Sequence, residues 1–426
     1  VSDRAALYAA ILAHPDDDTP RLVFADWLQE NGNERYATFI RKQIELAKVP
    51  EWDPLWAGAW YTDRDALTGR GYDDFRPALG EGLNWEPLDS FRRGFPWRVA
   101  TANPGPFLEH AARLFAGAPL GAVRFGHEHE TWRAPYQVDQ LVASRWLARL
   151  TDISFNVARF TPDTAKAFVA CPHLGRLKSL TFDLCTHDRG ALRDFLVPAL
   201  LDKLEAFELL SSESYWTELV VGLTEYRGPG RLRTLAVSPF NLGAFSHNQV
   251  FGAPVLGQLR ELSISRYEMG AAHVRAVCGA PFAPHLESLS LSRTKPGVPG
   301  VAAIAECAAL RGLKRLNLAN NALGPLAMKR LAAVPHLANL STLVLTSNSL
   351  GDKGATELAK APWLKNLVSL ELMHCSIGPS GALALGEALD PDRLIYLNVH
   401  SDTMRGSAGD NLRTTLKAKF GPAVFV

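Results

Sequence analysis

His127-Glu-His129-Glu is the one place in the chain where two imidazoles stand two residues apart. On a strand such residues share a face, and paired histidines of this kind hold metal ions in hydrolases. No third ligand follows at usable spacing, and the His-Glu-x-x-His helix of zinc hydrolases is absent. A metal-dependent hydrolase using His127 and His129 is therefore only an alternative reading, and no metal or other cofactor is expected. The acidic run Asp16-Asp17-Asp18, with Arg21, Asp26 and Trp27 close behind, lacks the alternation and the glycine of a calcium loop. Carboxylates ahead of a helix instead favour its positive end, and Asp26 is expected to pair with Arg21 or Arg41. No phosphate-binding Gly-x-x-x-x-Gly-Lys-Ser/Thr loop, nucleophile elbow or Cys/His pairing is present. No catalytic residue can be assigned, and the chain is not expected to be an enzyme.

Five cysteines, Cys171, Cys185, Cys278, Cys307 and Cys375, are widely spread with no Cys-x-x-Cys pair. An odd number of isolated thiols implies reduced, buried side chains and a cytoplasmic setting. The 426 residues balance 45 basic against 44 acidic groups, a formal net charge of +1. That excludes a generally cationic nucleic-acid binder. No apolar run approaches the roughly 18–20 residues of a membrane helix, and the start lacks a basic-then-apolar signal segment. The expected partner is a protein or peptide, with no nucleic acid, no membrane and a monomeric chain.

What would position any functional side chain is a repeat. Leu313-Lys-Arg-Leu316-Asn-Leu318-Ala-Asn-Asn321-Ala-Leu323-Gly324 returns 27 residues later from Leu340 to Gly351, and again from Leu367 to Gly378. The leading leucine continues forwards to Leu394 and backwards through Leu286, Leu259, Leu232, Leu204, Leu177 and Leu150, with one step of 28 between Leu204 and Leu232. A weaker unit begins at Leu120. Apolar residues three and five places after each lead lie on one face of a short strand, so both point inward. A second apolar column stands eighteen places after the lead, among them Ile304, Leu331, Leu358 and Leu385, in segments that favour helix. Gly300, Ala327, Gly354 and Gly381, fourteen places after the lead, are expected where a helix approaches its strand closely. A period in this range means stacked strand-turn-helix units sharing one continuous core.

This pattern resembles the leucine-rich repeat family, specifically the ribonuclease-inhibitor-like type, over residues 120–426. The resemblance implies an α/β fold: a right-handed horseshoe of about eleven units with a parallel concave sheet, convex helices and a C-terminal cap. In that family an Asn or Cys eight places after the lead bonds the turn backbone, and Asn321, Asn348, Cys185 and Cys375 match. Ala158, Ser212, Phe240, Tyr267, Thr294 and Asp402 depart from it, so irregular early turns are expected.

Residues 1–48 form a different, three-helix module. Leu7, Ala10 and Ile11 make one helical face; Thr19 is expected to cap a second helix through Glu30, and a third carries Phe39, Ile40, Ile44 and Leu46. The run from Ala10 to Gly32, continuing at Phe39-Ile-Arg-Lys-Gln, resembles the small repeat-companion domain at the front of many bacterial repeat proteins. That family implies company with repeats and no established activity. Residues 49–119 are expected to be an aromatic-rich linker and N-terminal cap. Trp52, Trp56 and Trp60 share a helical face, Thr68–Asn84 is a long loop, and the segment from Phe91 to Val99 is an edge strand pairing with the first repeat.

The remaining candidate surface is the concave sheet, with outward positions two, four and six places after each lead. They are mainly small and polar. Glu208, Glu261 and Glu371 stand among few charges, with Arg315 as a counter-charge. One place after the lead, Lys178/Glu205/Arg233 and Arg260/Glu287/Lys314 alternate in sign across neighbouring strands and should neutralise one another. The most distinctive cluster is Glu371, Met373, His374, Tyr396, Asn398 and His400. The sequence thus describes a non-enzymatic protein–protein interaction scaffold; a regulator or inhibitor of a partner enzyme is the alternative.

Overall fold

The computed structural model describes residues 2–50, 53–56, 76–86, 91–126, 138–210, 216–228, 230–238, 247–400, 407–421 and 424–425. His127, His129, Trp52 and Trp60 lie outside them, as do the turn positions Ser212, Phe240 and Asp402. The described residues fall into two compact units, one within Val1–Glu51 and Thr62–Ser211, the other within Trp52–Tyr61 and Ser212–Val426.

In the first unit, helices α1 (Asp3–Ala13), α2 (Thr19–Glu30) and α3 (Glu34–Leu46) precede strand β1 (Leu83–Trp85) and a short antiparallel hairpin, β2 (Phe91–Arg92) with β3 (Phe95–Pro96). Phe91 and Phe95 enter the helices' own core beside Ile11, Phe24, Tyr36 and Ile40. The Tyr36 hydroxyl donates to the Gly94 carbonyl at 2.6 Å, and Gly94, at φ 83°, lies so near Ile40 that a Cβ would come within 2.5 Å of it. The segment expected as one edge strand is thus divided. Its first part closes the helical module. Its second part is β4 (Arg98–Thr101), which pairs in parallel with β5 (Ala122–Phe125). A helix, Pro104–Gly117, joins them, so parallel pairing extends one strand upstream of Leu120.

The Asp16–Asp18 run is engaged in structure. Arg21 is 1% exposed and donates to the carbonyls of Asp17 and Pro15, both at 2.8 Å. Asp17 accepts the Thr19 amide at 2.8 Å, so the α2 cap belongs to the acidic run and not to Thr19. Arg93 approaches Asp18 at 3.4 Å, Arg176 pairs with Asp16, and Asp26 pairs with Arg41 at 2.7 Å.

From β5 the first unit continues in parallel through β6 (Asp152–Asn156), β8 (Ser179–Asp183) and β10 (Ala206–Leu210), with β1 antiparallel on β4. A small second pair, β7 (Arg159–Phe160) with β9 (Thr186–His187), forms where Ala158 replaces the expected turn residue. Phe125, Phe155 and Phe182, five places along their repeats, stack with ring centroids 5.6 and 5.8 Å apart.

The second unit repeats the motif with greater regularity: β11 (Thr234–Val237), β12 (Glu261–Ile264), β13 (Ser288–Ser290), β14 (Arg315–Asn317), β15 (Thr342–Val344), β16 (Ser369–Glu371), β17 (Tyr396–Asn398) and β18 (Val424–Phe425). Neighbours pair in parallel, each offset by one repeat, so Leu262, Leu289, Leu316, Leu343, Leu370 and Leu397 align across the sheet. Between strands run helices such as Gly297–Glu306, Pro325–Ala332, Gly351–Ala359 and Pro379–Ala388. Their residues Ile304, Leu331, Leu358 and Leu385 are fully buried, as are the central strand leucines Leu289, Leu316, Leu343 and Leu370. This is the leucine-rich-repeat α/β arrangement.

Three features make each repeat turn. First, seven places after the lead the backbone is left-handed: Val157, Leu184, Arg266, Arg293, Asn320, Ser347 and His374 have φ from 50° to 58°. Second, Asn321 and Asn348 use every hydrogen-bonding position they have. The Asn321 Oδ1 accepts the amides of Thr294 and Lys295, and its Nδ2 donates to the carbonyls of Leu291 and Leu318. Cys375 and Cys185 donate their thiols to the equivalent carbonyls, Leu345 at 3.0 Å and Phe155 at 3.3 Å. Thr294 is less of a departure than its type suggests, because its hydroxyl donates to Leu291 at 2.8 Å. Third, the small residues fourteen places along face neighbouring helices and turns, not strands. A Cβ on Gly381 would meet Asp352 at 2.7 Å and Ala355 at 2.9 Å, and one on Gly354 would meet Leu350 at 2.9 Å. Helix-to-helix stacking, which brings whole turns against each other every 27 residues, is the tighter constraint.

Candidate interaction surface

Alternation along each strand decides what the sheet offers. With the central leucines turned toward the helices, the residues on either side face away from them. In the second unit this gives two rows: Glu261, Ser288, Arg315, Thr342, Ser369 and Tyr396 in one, Ser263, Ser290, Asn317, Val344, Glu371 and Asn398 in the other. Most of these side chains are short and polar. Ser288, Thr342 and Ser369 are 4%, 4% and 0% exposed.

Three expected candidates come together electrostatically. Burial lowers the Arg315 pKa, opposed by the fields of Glu371 and Glu261; burial raises that of Glu371, opposed by Arg315. Desolvation thus outweighs attraction at both ends. No ion pair within 4 Å forms between Arg315 and either carboxylate among the described residues. Glu208 stands half-buried on β10 of the first unit.

The C-terminal cluster forms a chain of contacts. Asn398 donates through Nδ2 to the Tyr396 hydroxyl at 3.0 Å and accepts the His400 amide at 3.1 Å. The His374 and His400 rings lie 6.4 Å apart, Met373 is half-buried and both histidines are exposed. Tyr396, expected as an outward contact residue, is instead 1% exposed. Its phenol orients Asn398 and leaves little ring surface for a partner.

The lateral charge ladder neutralises itself. Lys178 meets Glu205 at 3.1 Å, while Glu287 bonds both Arg260 and, at 2.9 Å, Lys314. Sequence reasoning missed Ser369, and it took Thr342 only as one polar residue among many. The Thr342 Oγ1 and Ser369 Oγ are buried with no hydrogen-bond partner. The sequence signal was a pair of small hydroxyl residues next to each other between Arg315 and Tyr396 in a single row; its meaning depends on the burial.

On the helix side, Pro325, Leu326, Lys329, Asp352, Thr356 and Ser380 line a groove of about 550 Å³. Its Asp352 is already engaged: the carboxylate accepts from the Gly378 amide at 2.6 Å, the Gly381 amide at 3.1 Å and the Ser380 hydroxyl at 2.6 Å. Among the described residues no group of three His, Cys, Asp or Glu could hold a metal ion, and no helix is long and apolar enough to cross a membrane.

Residues 336–359 and 364–386 match the Leucine Rich repeat family. This chain carries leucine-rich repeats. No curated protein matches the sequence. Among solved structures, the chain is similar to one of the Rad7 and Elc1 complex in yeast, at 16% identity over 98% of this chain and 91% of that one, with a TM-score of 0.44. An internalin (InlF) from Listeria monocytogenes is similar at 16% identity over 64% and 79% of the two chains, TM-score 0.33. A TLR13–ssRNA13 complex is similar at 14% identity over 66% and 42%, TM-score 0.37.

Proposed function

We propose that this protein is a non-enzymatic interaction scaffold that binds a protein or peptide on the sheet face of its repeats. The observation that carries the reading is the in-register double row of the second unit: small polar residues, few charges, and backbone positions fixed repeat by repeat by buried leucines and turn asparagines. Stacked units of this kind are ordered before a partner arrives, which lowers the ordering cost of binding. The long units with a true helix suit the ribonuclease-inhibitor-like type, and the three N-terminal helices suit a repeat-companion module. Five thiols with no disulfide suit a reducing compartment such as the cytoplasm.

The test compares two surface variants in cross-linking and affinity capture from the source cells. Ser263→Arg/Asn317→Arg places bulk and charge on the open face; Lys329→Glu/Lys353→Glu alters the helix side. Partners lost from the first variant and retained by the second support the reading. Partners lost only from the second would move binding to the helices and overturn it.

A further inference from the structure

We propose that Cys278 and Cys307 form an oxidation-sensitive dithiol site, which hydrogen peroxide closes into a disulfide between neighbouring repeats. Cys278 ends the helix Ala271–Cys278, and Cys307 caps the end of the next one, Gly297–Glu306. The two stand 29 positions apart, close to one repeat, so the stacking of the helices brings their ends together. Each thiol reaches into the other's repeat. The Cys278 Sγ lies 3.7 Å from the Ala303 carbonyl oxygen, and the Cys307 Sγ lies 3.8 Å from the carbonyl oxygen of Cys278 itself. The two side chains also hydrogen-bond each other.

That contact divides the labour between the sulfurs. The hydrogen bond from Cys278, helped by the Leu310 and Ala309 amides, outweighs burial and lowers the Cys307 pKa from 9.0 to about 7. The same contact raises the Cys278 pKa, so Cys278 keeps its proton while Cys307 carries the charge. A thiolate, not a thiol, is the nucleophile. Nor is the pair sealed: Cys278 is partly exposed and Cys307 is 8% exposed, an opening suited to an oxidant as small as peroxide. The other cysteines are occupied and protonated. Cys185 and Cys375, at most 1% exposed, give their thiols to turn carbonyls, and burial raises their pKa to about 12 and about 11. Cys171 donates to the Val142 carbonyl at 3.1 Å, and burial raises its pKa too.

The reaction has two steps. The Cys307 thiolate attacks one peroxide oxygen; the S–O bond forms, the O–O bond breaks, and hydroxide leaves and takes a proton from solvent to become water. Cys278 then loses its proton to solvent, its sulfur attacks that of Cys307, and the S–O bond breaks to release a second hydroxide, which is protonated to water. The two sulfurs together give up two electrons, and one peroxide is reduced to two waters. Once the Cys307 charge has been consumed, the field that held the proton on Cys278 is gone.

The test treats the full chain with hydrogen peroxide, alkylates the remaining thiols in denaturant and maps the digest by mass spectrometry. A linked Cys278–Cys307 peptide, reversed by dithiothreitol, is expected, with Cys171, Cys185 and Cys375 recovered alkylated. Cys278→Ala should leave Cys307 as a sulfenic acid that dimedone traps, and should move the pH profile of Cys307 alkylation upward. Cys278→Ser, which keeps a hydrogen-bond donor, should restore part of that profile. Cys307→Ala should slow peroxide oxidation of Cys278 at neutral pH by about tenfold or more. The inference is overturned if the folded wild type yields no linked peptide, or yields other cysteine pairs as abundantly. A Cys307 alkylation profile that rises only near the ordinary thiol value of 9.0, or that Cys278→Ala leaves unchanged, would overturn it equally. None of these outcomes depends on which face of the repeats binds a partner.

Discussion

Asn348 reaches back one repeat to hold Asn321: its Oδ1 accepts the Asn321 amide at 3.1 Å and the Leu323 amide at 2.9 Å. Its Nδ2 donates to the carbonyls of Leu318 and Leu345, at 3.0 and 2.6 Å. One amide group therefore satisfies four backbone groups in two repeats, all of them shut off from water. Asn348→Ala should cost at least about 3 kcal/mol, since each buried group left unpaired costs about 1–3 kcal/mol. Cys375→Ala, which loses a thiol donor to Leu345, should cost about 1 kcal/mol. Urea unfolding of both variants measures the difference; equal losses would show that the asparagine ladder is not what holds these turns.

The repeat was legible because it rests on covalent spacing: a leucine every 27 residues can only align if strands stack in parallel, and Leu289, Leu316, Leu343 and Leu370 do so. The turn asparagines were legible for the same reason. The face itself was harder to read. Alternation puts Glu261, Arg315 and Glu371 beside the central leucines of their strands, but whether a side chain there is exposed depends on its surroundings. That is why Tyr396 looked like a contact residue and is buried, and why Ser369 went unnoticed. The segment around Phe91 and Phe95 was illegible because its partners, Tyr36 and Ile40, are some fifty residues away and share no period with it.

Val157 is the one β-branched residue in the left-handed turn row, at φ 54°. A left-handed conformation costs an ordinary L-residue about 1–2 kcal/mol and suits Asn far better. Its amide bond to the Asp183 carbonyl, at 2.9 Å, is independent of the side chain. Val157→Asn should therefore stabilise the first unit by about 1 kcal/mol, read as a higher midpoint in chemical denaturation. An unchanged or lower midpoint would mean that the valine methyls contribute more packing than the backbone loses in strain.

His187 is packed among phenylalanines, its ring stacked on Phe160 at 5.6 Å and edge-on to Phe182 at 5.2 Å, with 1% exposure. Burial lowers its pKa from 6.5 to about 4. The unfolded chain then binds a proton more readily than the native one, so the stability is fully present above pH 6.5 and is lost as pH falls toward 4. The loss should reach the order of 3 kcal/mol. His187→Phe should flatten the stability profile between those limits; a profile identical to wild type would show that other groups govern the acid transition.

Asp352 couples two repeats through charge. Burial opposes its ionisation, but hydrogen bonds from the Ser380 hydroxyl and the Gly378 and Gly381 amides outweigh that and hold the carboxyl below its ordinary value of 3.8. The stability it contributes is complete above pH 3.8 and is lost as pH falls through the lower native value. Because the bonded amides open the helix Pro379–Ala388, Asp352 acts as an N-terminal cap supplied by the preceding repeat, a role that takes about 0.5–2 kcal/mol with it when removed. Asp352→Asn keeps one acceptor oxygen and should lose less than Asp352→Ala at neutral pH. Gly381→Ala attacks the same contact from the other side: its methyl would meet the Asp352 oxygen at 2.7 Å and force the two helices apart. If the contact is what couples the repeats, Asp352→Ala and Gly381→Ala should be non-additive, the double variant being less destabilised than the sum of the singles. Strict additivity in urea unfolding would show that the two residues act on separate contacts.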